Sequence, residues 1–296
     1  MYRSIHAKTI AAKPRPTDLA VTLYTKSKKL PSQYRVLDRS VGGALSRLIR
    51  CDEFRAEKGE LTTLYPPKGA SRLFVLGMGE RATFTLEALR VASARLVNAA
   101  FKAKLRRVDL RPLVDGLGTR EMGCAIGEGL MLGNFSFDTF KGTTSNQVSS
   151  PARSRLSVHI EDDLQAGVAR GLLIGESVNV ARQLAATPPN IANPTYLVSY
   201  CRKMARQIGL DCSIIDAKKA RAMGMNGLVS VGAAGSAPPA MICLRHRPAR
   251  PHAGPILIVG KAITFDTGGY SLKPRDSMTG MKYDKCGGMA VIGAMR

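Results

Sequence analysis

Tryptophan is absent, and aromatic residues make up only 5% of the 296 residues. A surface that stacks single-stranded nucleic acid needs aromatic faces, so the composition argues against that class of function. Acidic residues are scarce too: 22 Asp and Glu stand against 44 Lys and Arg, a formal net charge of +22. The excess is spread over both halves of the chain and forms no basic arm or tail. Such a field attracts polyanions without sequence preference. No zinc finger, RNP motif or arginine-rich helix accompanies it, so no specific nucleic-acid partner is inferred. No apolar run reaches the roughly 18 residues that a membrane span needs, so no membrane partner is expected. The six cysteines (51, 124, 201, 212, 243 and 286) form no Cys-x-x-Cys pair. In a chain of this size they read as reduced thiols of a cytoplasmic protein, with Cys286 as a small buried thiol. The histidines at 6, 159, 246 and 252 show no metal spacing and are assigned to surface or core. Basic residues precede the first acid, Asp18, as in some transit peptides. Ala20–Tyr24 already reads as a strand, however, so this region is taken as folded.

What is present is enough apolar material, 45% of the chain, to bury a core, and a length that predicts two domains. The pattern is α/β. Arg72–Gly77 and Arg107–Arg111 read as strands, and Thr83–Lys102 between them has helical periodicity. The turn Gly77-Met-Gly-Glu-Arg-Ala82 fits the Gly-x-Gly-x-x-Ala form of a dinucleotide site. The helix start is displaced and no acid follows at the required spacing, so a tight strand–helix turn is the better reading. Residues 141–157 are small and polar and read as a surface loop. Leu156–Ile160 is a predicted strand. A helix follows from the acids at 161–163 to about Ala186, where Thr-Pro-Pro-Asn ends it. Its Gly167, Gly171 and Gly175 mark a face on which another backbone can pack closely. Beyond it come a helix over Pro194–Ile208 stopped by Gly209, strands at Asp211–Ile215, Met241–Arg245 and Pro255–Val259, and a helix from Gly287 to Arg296.

The richest stretch is Val259-Gly-Lys-Ala-Ile-Thr-Phe-Asp-Thr-Gly-Gly, followed by Lys273 and Met-Lys-Tyr-Asp-Lys-Cys-Gly-Gly. It gathers Lys261, Asp266, Lys273 and Asp284 on glycine-rich loops. Asp-Thr-Gly-Gly alone is turn chemistry, and Lys and Asp alone are surface ion pairs. The ordered set points further. Two carboxylates on neighbouring loops suit Mn²⁺, Mg²⁺ or Zn²⁺, and a lysine that loses its proton near a cation can join them.

That ordered set resembles the cytosol (leucyl) aminopeptidase family of two-metal peptidases. Residues 255–293 look like the first half of its active site. Residues 181–194, Ala-Arg-Gln-Leu-Ala-Ala-Thr-Pro-Pro-Asn-Ile-Ala-Asn-Pro, are similar to its link from interdomain helix to catalytic domain. Residues 121–141 resemble the last helix of its N-terminal domain. The resemblance implies an α/β fold in three parts: an N-terminal α/β domain (1–160), an interdomain helix (161–186) and the N-terminal part of the α/β catalytic domain (187–296). It implies two divalent ions, Mn²⁺ or Zn²⁺, with Lys261 and Asp284 binding the tighter one and Asp266 bridging both. Lys273 would hold and polarise the substrate as the catalytic lysine, and Met281 would line the pocket for the N-terminal side chain. Ala262 stands where the family usually has glycine. The family's second motif, Asn-Thr-Asp-Ala-Glu-Gly-Arg, supplies the remaining ligands and the Arg that holds a bicarbonate, and it does not occur in these 296 residues. The expectation is therefore an aminopeptidase of peptide substrates, C-terminally truncated. Full-length members would form homo-hexamers, an assembly not expected of this chain. The alternative is an inactive remnant that acts as a binding or regulatory protein.

Overall fold

The computed structural model describes residues 1–10, 17–24, 30, 32–51, 54–112, 118–140, 142, 155–249 and 254–296. They divide into two compact units, Met1–Glu176 and Ser177–Arg296. Most of the predicted loop, residues 141 and 143–154, lies outside the described residues.

The first unit is built on six strands: β1 (Ser4–Thr9), β2 (Thr17–Leu23), β3 (Leu61–Leu64), β4 (Ala70–Gly77), β5 (Arg107–Arg111) and β6 (Arg155–Ile160). Their order is β1-β6-β5-β2-β4-β3. Every neighbouring pair is parallel except β3–β4 at one edge. Strands covered on both faces carry near-continuous apolar runs, as in Leu73–Leu76. Their period of two sorts them between two cores. Ala20, Phe74, Leu76, Val108 and Val158 face α3 (Leu86–Lys102), α4 (Thr119–Gly133) and the start of α5 (Asp162–Ala186). Leu19, Val21, Leu73 and Val75 face α1 (Arg35–Ser40) and α2 (Ala44–Arg50). β4, α3 and β5 form a right-sized crossover unit, but its two strands are not neighbours, because both pair with β2.

The glycine turn after β4 is a packing device. The Gly77 amide donates to Glu60 O at 2.8 Å and the Gly79 amide to Ala56 O at 2.9 Å. α3 then begins only at Leu86, after a 3₁₀ turn at Arg81–Thr83. The Met78 amide, between those of Gly77 and Gly79, donates to Leu23 O at 2.9 Å, so the amides of residues 77–79 are all used within the fold.

The glycines of α5 meet the backbone of α4. A Cβ on Gly167 would lie 2.5 Å from Arg120 O, and one on Gly123 would lie 2.5 Å from Leu164 O. Only hydrogen side chains allow this helix–helix approach.

The second unit holds the end of α5, then α6 (Pro194–Ile208), β7 (Asp211–Asp216), α7 (Ala217–Ala222), α8 (Asn226–Gly232), β8 (Ala240–Arg245), α9 (Arg275–Thr279) and α10 (Cys286–Met295). The Asn193 side chain caps α6 by accepting from the Tyr196 amide at 2.9 Å, and Gly209 ends it at φ 76°. β7 and β8 form an antiparallel pair. Leu184, Leu197, Cys201, Met204, Met289 and Ile292 make the core.

One predicted element is not a strand. Residues 255–259 are irregular, with Ile256 at 91% and Val259 at 83% exposure. Branched apolar side chains favour extended backbone, but a strand exists only against a partner. Among the described residues none pairs with this segment. No helix among the described residues is long and apolar enough to cross a membrane.

Candidate metal centre

Two backbone segments meet to make the site. Residues 260–262 lie against the start of α10. The Gly288 amide donates to Lys261 O, and a Cβ on Gly288 would fall 2.6 Å from that of Ala262. A Cβ on Gly260 would overlap the Gly287 carbonyl. Glycine at these positions lets the loop bearing Lys261 touch the turn bearing Asp284. The result is an ion pair, Lys261 Nζ to Asp284 Oδ1, at 3.0 Å.

The second pair lies on the loop between. Gly268 (φ 89°) and Gly269 (φ 64°) take left-handed conformations that reverse the chain. Asp266 Oδ1 accepts from the Gly268 amide at 2.8 Å, and the Lys273 amide donates to Thr267 O at 2.9 Å. The loop closes on an ion pair between Lys273 Nζ and Asp266 Oδ2. The Lys273 ammonium and then the Gly268 amide hold the Asp266 carboxyl below the usual carboxylate range, and the charge of Lys261 adds to this. Asp266 is therefore an anion at neutral pH, within the field of both lysines.

Met281 opens the 3₁₀ turn Met281–Tyr283 and is half-buried. Its carbonyl accepts from the Asp284 amide at 3.0 Å. The four charged residues singled out in the sequence are thus brought together as two Lys–Asp pairs, and Met281 sits at the start of the turn carrying Asp284.

Sequence reasoning missed Lys285 and misplaced its neighbour. Cys286 is exposed, whereas the Lys285 side chain is fully buried. A lysine beside an aspartate reads as solvated, and no periodicity in the loop signals otherwise. The one available signal was its place directly ahead of the apolar helix α10. Burial lowers the pKa of its ammonium, and Cys286 and Lys282 act in opposite directions on it.

Do these residues fit a divalent ion? Among the described residues no group of three or more His, Cys, Asp and Glu gathers. A site here must use lysine. Lys261 pairs with Asp284 at 3.0 Å and its charge acts on Asp266, so a lysine that gave up its proton would join two carboxylates as donors. That donor set fits a hard or borderline divalent cation.

The matched sequence regions decide the family. The N-terminal domain of the cytosol aminopeptidase family matches residues 20–144, and the family's catalytic domain matches residues 179–296. The chain belongs to the cytosol aminopeptidase family. A probable cytosol aminopeptidase of Acidobacterium capsulatum is 35% identical over 264 residues, covering 88% of this chain and 52% of that protein. The bottromycin maturation enzyme BotP, solved in complex with Mn, is 26% identical with a TM-score of 0.73, covering 94% of this chain and 55% of that one. A tomato leucine aminopeptidase mutant has the same fold at a TM-score of 0.79 and 24% identity, covering 99% of this chain and 58% of that one. The chain spans about half the length of the curated relatives it matches.

Proposed function

We propose that these residues form the first half of a dinuclear aminopeptidase centre acting on peptides. Lys261 and Asp284 would hold one divalent ion, Mn²⁺ or Zn²⁺, and Asp266 would serve both it and a second. Such ions supply Lewis-acid polarisation of the first peptide carbonyl. Lys273 binds and orients the same carbonyl through its ammonium, and Met281 lines the pocket for the N-terminal side chain. The supporting observation is the 3.0 Å approach of Lys261 Nζ to Asp284 Oδ1, with Asp266 in the field of Lys261. A lysine must give up its proton to ligate, so binding strengthens as pH rises. Domain limits of 1–160, 161–186 and 187–296, a cytoplasmic location, bicarbonate as a helper in the complete site and a hexameric assembly of full-length relatives belong to the same proposal.

A second reading is a metal- or peptide-binding protein without turnover. It is favoured by a ligand set of three, which leaves positions to water. One assay separates the two: hydrolysis of leucine p-nitroanilide with Mn²⁺ or Zn²⁺, by this chain and by a fusion that adds the Asp-x-Glu-x-Arg half of a relative. The proposal expects turnover by the fusion, abolished by Asp266→Ala and Lys273→Ala. Activity that survives both substitutions would overturn it.

A further inference from the structure

Lysine is rarely buried without a partner for each of its charges and donors. Lys285 has no exposed surface. Its Nζ donates to Ala185 O and Thr187 O at 3.0 Å each and to Lys282 O at 2.5 Å. An ammonium has three donors, and all three are used. Ala185 O lies in the last turn of α5, a 25-residue helix, and Thr187 O just beyond its end. Its last carbonyls have no partner within the helix, and its dipole favours a cation there. The third acceptor lies in the 3₁₀ turn that leads into Asp284. Cys286, one residue on, is exposed, so burial of Lys285 is specific to that side chain and is not shared by the turn as a whole.

Asp284 is thus held from two directions. Its carboxylate meets Lys261, while its own turn is tied to α5 through the next residue. We propose that Lys285 is a positioning residue, whose buried ammonium fixes the 281–285 turn on the end of α5 and so presets the Asp284 carboxylate for a divalent cation. The cation part rests on the metal reading given above. Residues behind first-sphere ligands set affinity in this way, and their loss typically costs about 10–100-fold.

The test uses the full chain with Mn²⁺ as probe. Calorimetric titrations compare wild type with Lys285→Met, Lys285→Gln and Asp284→Asn, at a temperature where all are folded by circular dichroism. Leu197→Val, a core change in the same unit, serves as the stability control. Amide hydrogen exchange over 281–289 is measured on the same proteins. Lys285→Met is expected to weaken Mn²⁺ binding at least about tenfold and to speed exchange in 281–289. Lys285→Gln, which keeps two donors, is expected to lose less. Leu197→Val is expected to lower Tm while leaving both quantities at their wild-type values. Wild-type Mn²⁺ affinity in Lys285→Met would overturn the proposal, as would a Leu197→Val effect of equal size. Should Lys285→Met not fold, Lys285→Gln decides, and wild-type affinity there overturns it. If wild type and Asp284→Asn bind Mn²⁺ alike, the metal reading fails. Exchange then decides the clamp by itself: faster exchange confined to 281–289 supports it, and unchanged exchange overturns it.

Discussion

Replacing Gly167 by alanine should destabilise the first unit, although helix propensity predicts the opposite. Alanine in a helix interior is favoured over glycine by about 1 kcal/mol. Here the added methyl would sit 2.5 Å from Arg120 O, 3.0 Å from Gly123 Cα and 3.1 Å from Cys124 N. All three are backbone atoms of α4, so no side chain can rotate away. The two helices must part by several tenths of an ångström. Their contact runs through Gly123, Gly127, Gly167 and Gly171, so parting at one step loosens the others, and dispersion falls steeply with such gaps. Overpacking of this kind costs about 1–3 kcal/mol, and a rigid obstacle puts Gly167 at the upper end. After the propensity gain the net loss is about 1–2 kcal/mol, which for a unit of this size lowers Tm by roughly 2–8 °C. Ala166 is exposed on the same helix, and Ala166→Gly should cost only the propensity term of about 1 kcal/mol. Urea unfolding of the full chain, followed by circular dichroism, measures both. A Gly167→Ala protein as stable as wild type, or more so, would refute backbone contact between α4 and α5.

Further outcomes follow from buried ionisable groups. His159 is half-buried, and burial, then Arg107, lowers its pKa below 6.5, with Lys8 adding to this and Asp109 and a Thr9 backbone hydrogen bond opposing it. Between the lowered value and 6.5 the unfolded chain binds a proton that the folded one does not, so stability falls as pH drops through that window. Urea unfolding at pH 7 and pH 5 should show a larger loss in wild type than in His159→Gln, and equal losses would contradict it. Burial pushes the Cys201 thiol up to about 12. Brief alkylation of the native protein, read by mass spectrometry, should label the exposed Cys51, Cys243 and Cys286 and spare Cys201. Labelling of Cys201 at a comparable rate would show that its burial among α6 and β7 is wrong.

Much of the fold is legible in the sequence because its signals are local. Leu73–Leu76 is an apolar run, α3 is periodic, and α6 carries its own cap at Asn193 and stop at Gly209. The glycines of α5 were legible as a close-packing face, although nothing in them named α4 as the partner. Strand order was not legible: β2 enters between β4 and β5 through pairing that no local pattern encodes. β3, only four residues long, is too short to show a period. The segment 255–259 has strand composition but no strand partner among the described residues, since pairing is a tertiary property. Within the site, Lys261, Asp266, Lys273 and Asp284 stood out by spacing along two glycine-rich loops. Lys285 did not, because its burial depends on three carbonyls, two of them about a hundred residues away in sequence.

If Lys261, Asp266 and Asp284 form one cation site, the chain takes up Mn²⁺ through them. The free ion is followed by electron paramagnetic resonance as it is titrated into the wild-type chain and Asp266→Ala at equal concentration. The wild-type chain should bind one ion weakly, more tightly at pH 8.5 than at pH 6.5, and Asp266→Ala should lose that binding. Equal Mn²⁺ uptake by the two proteins would contradict it.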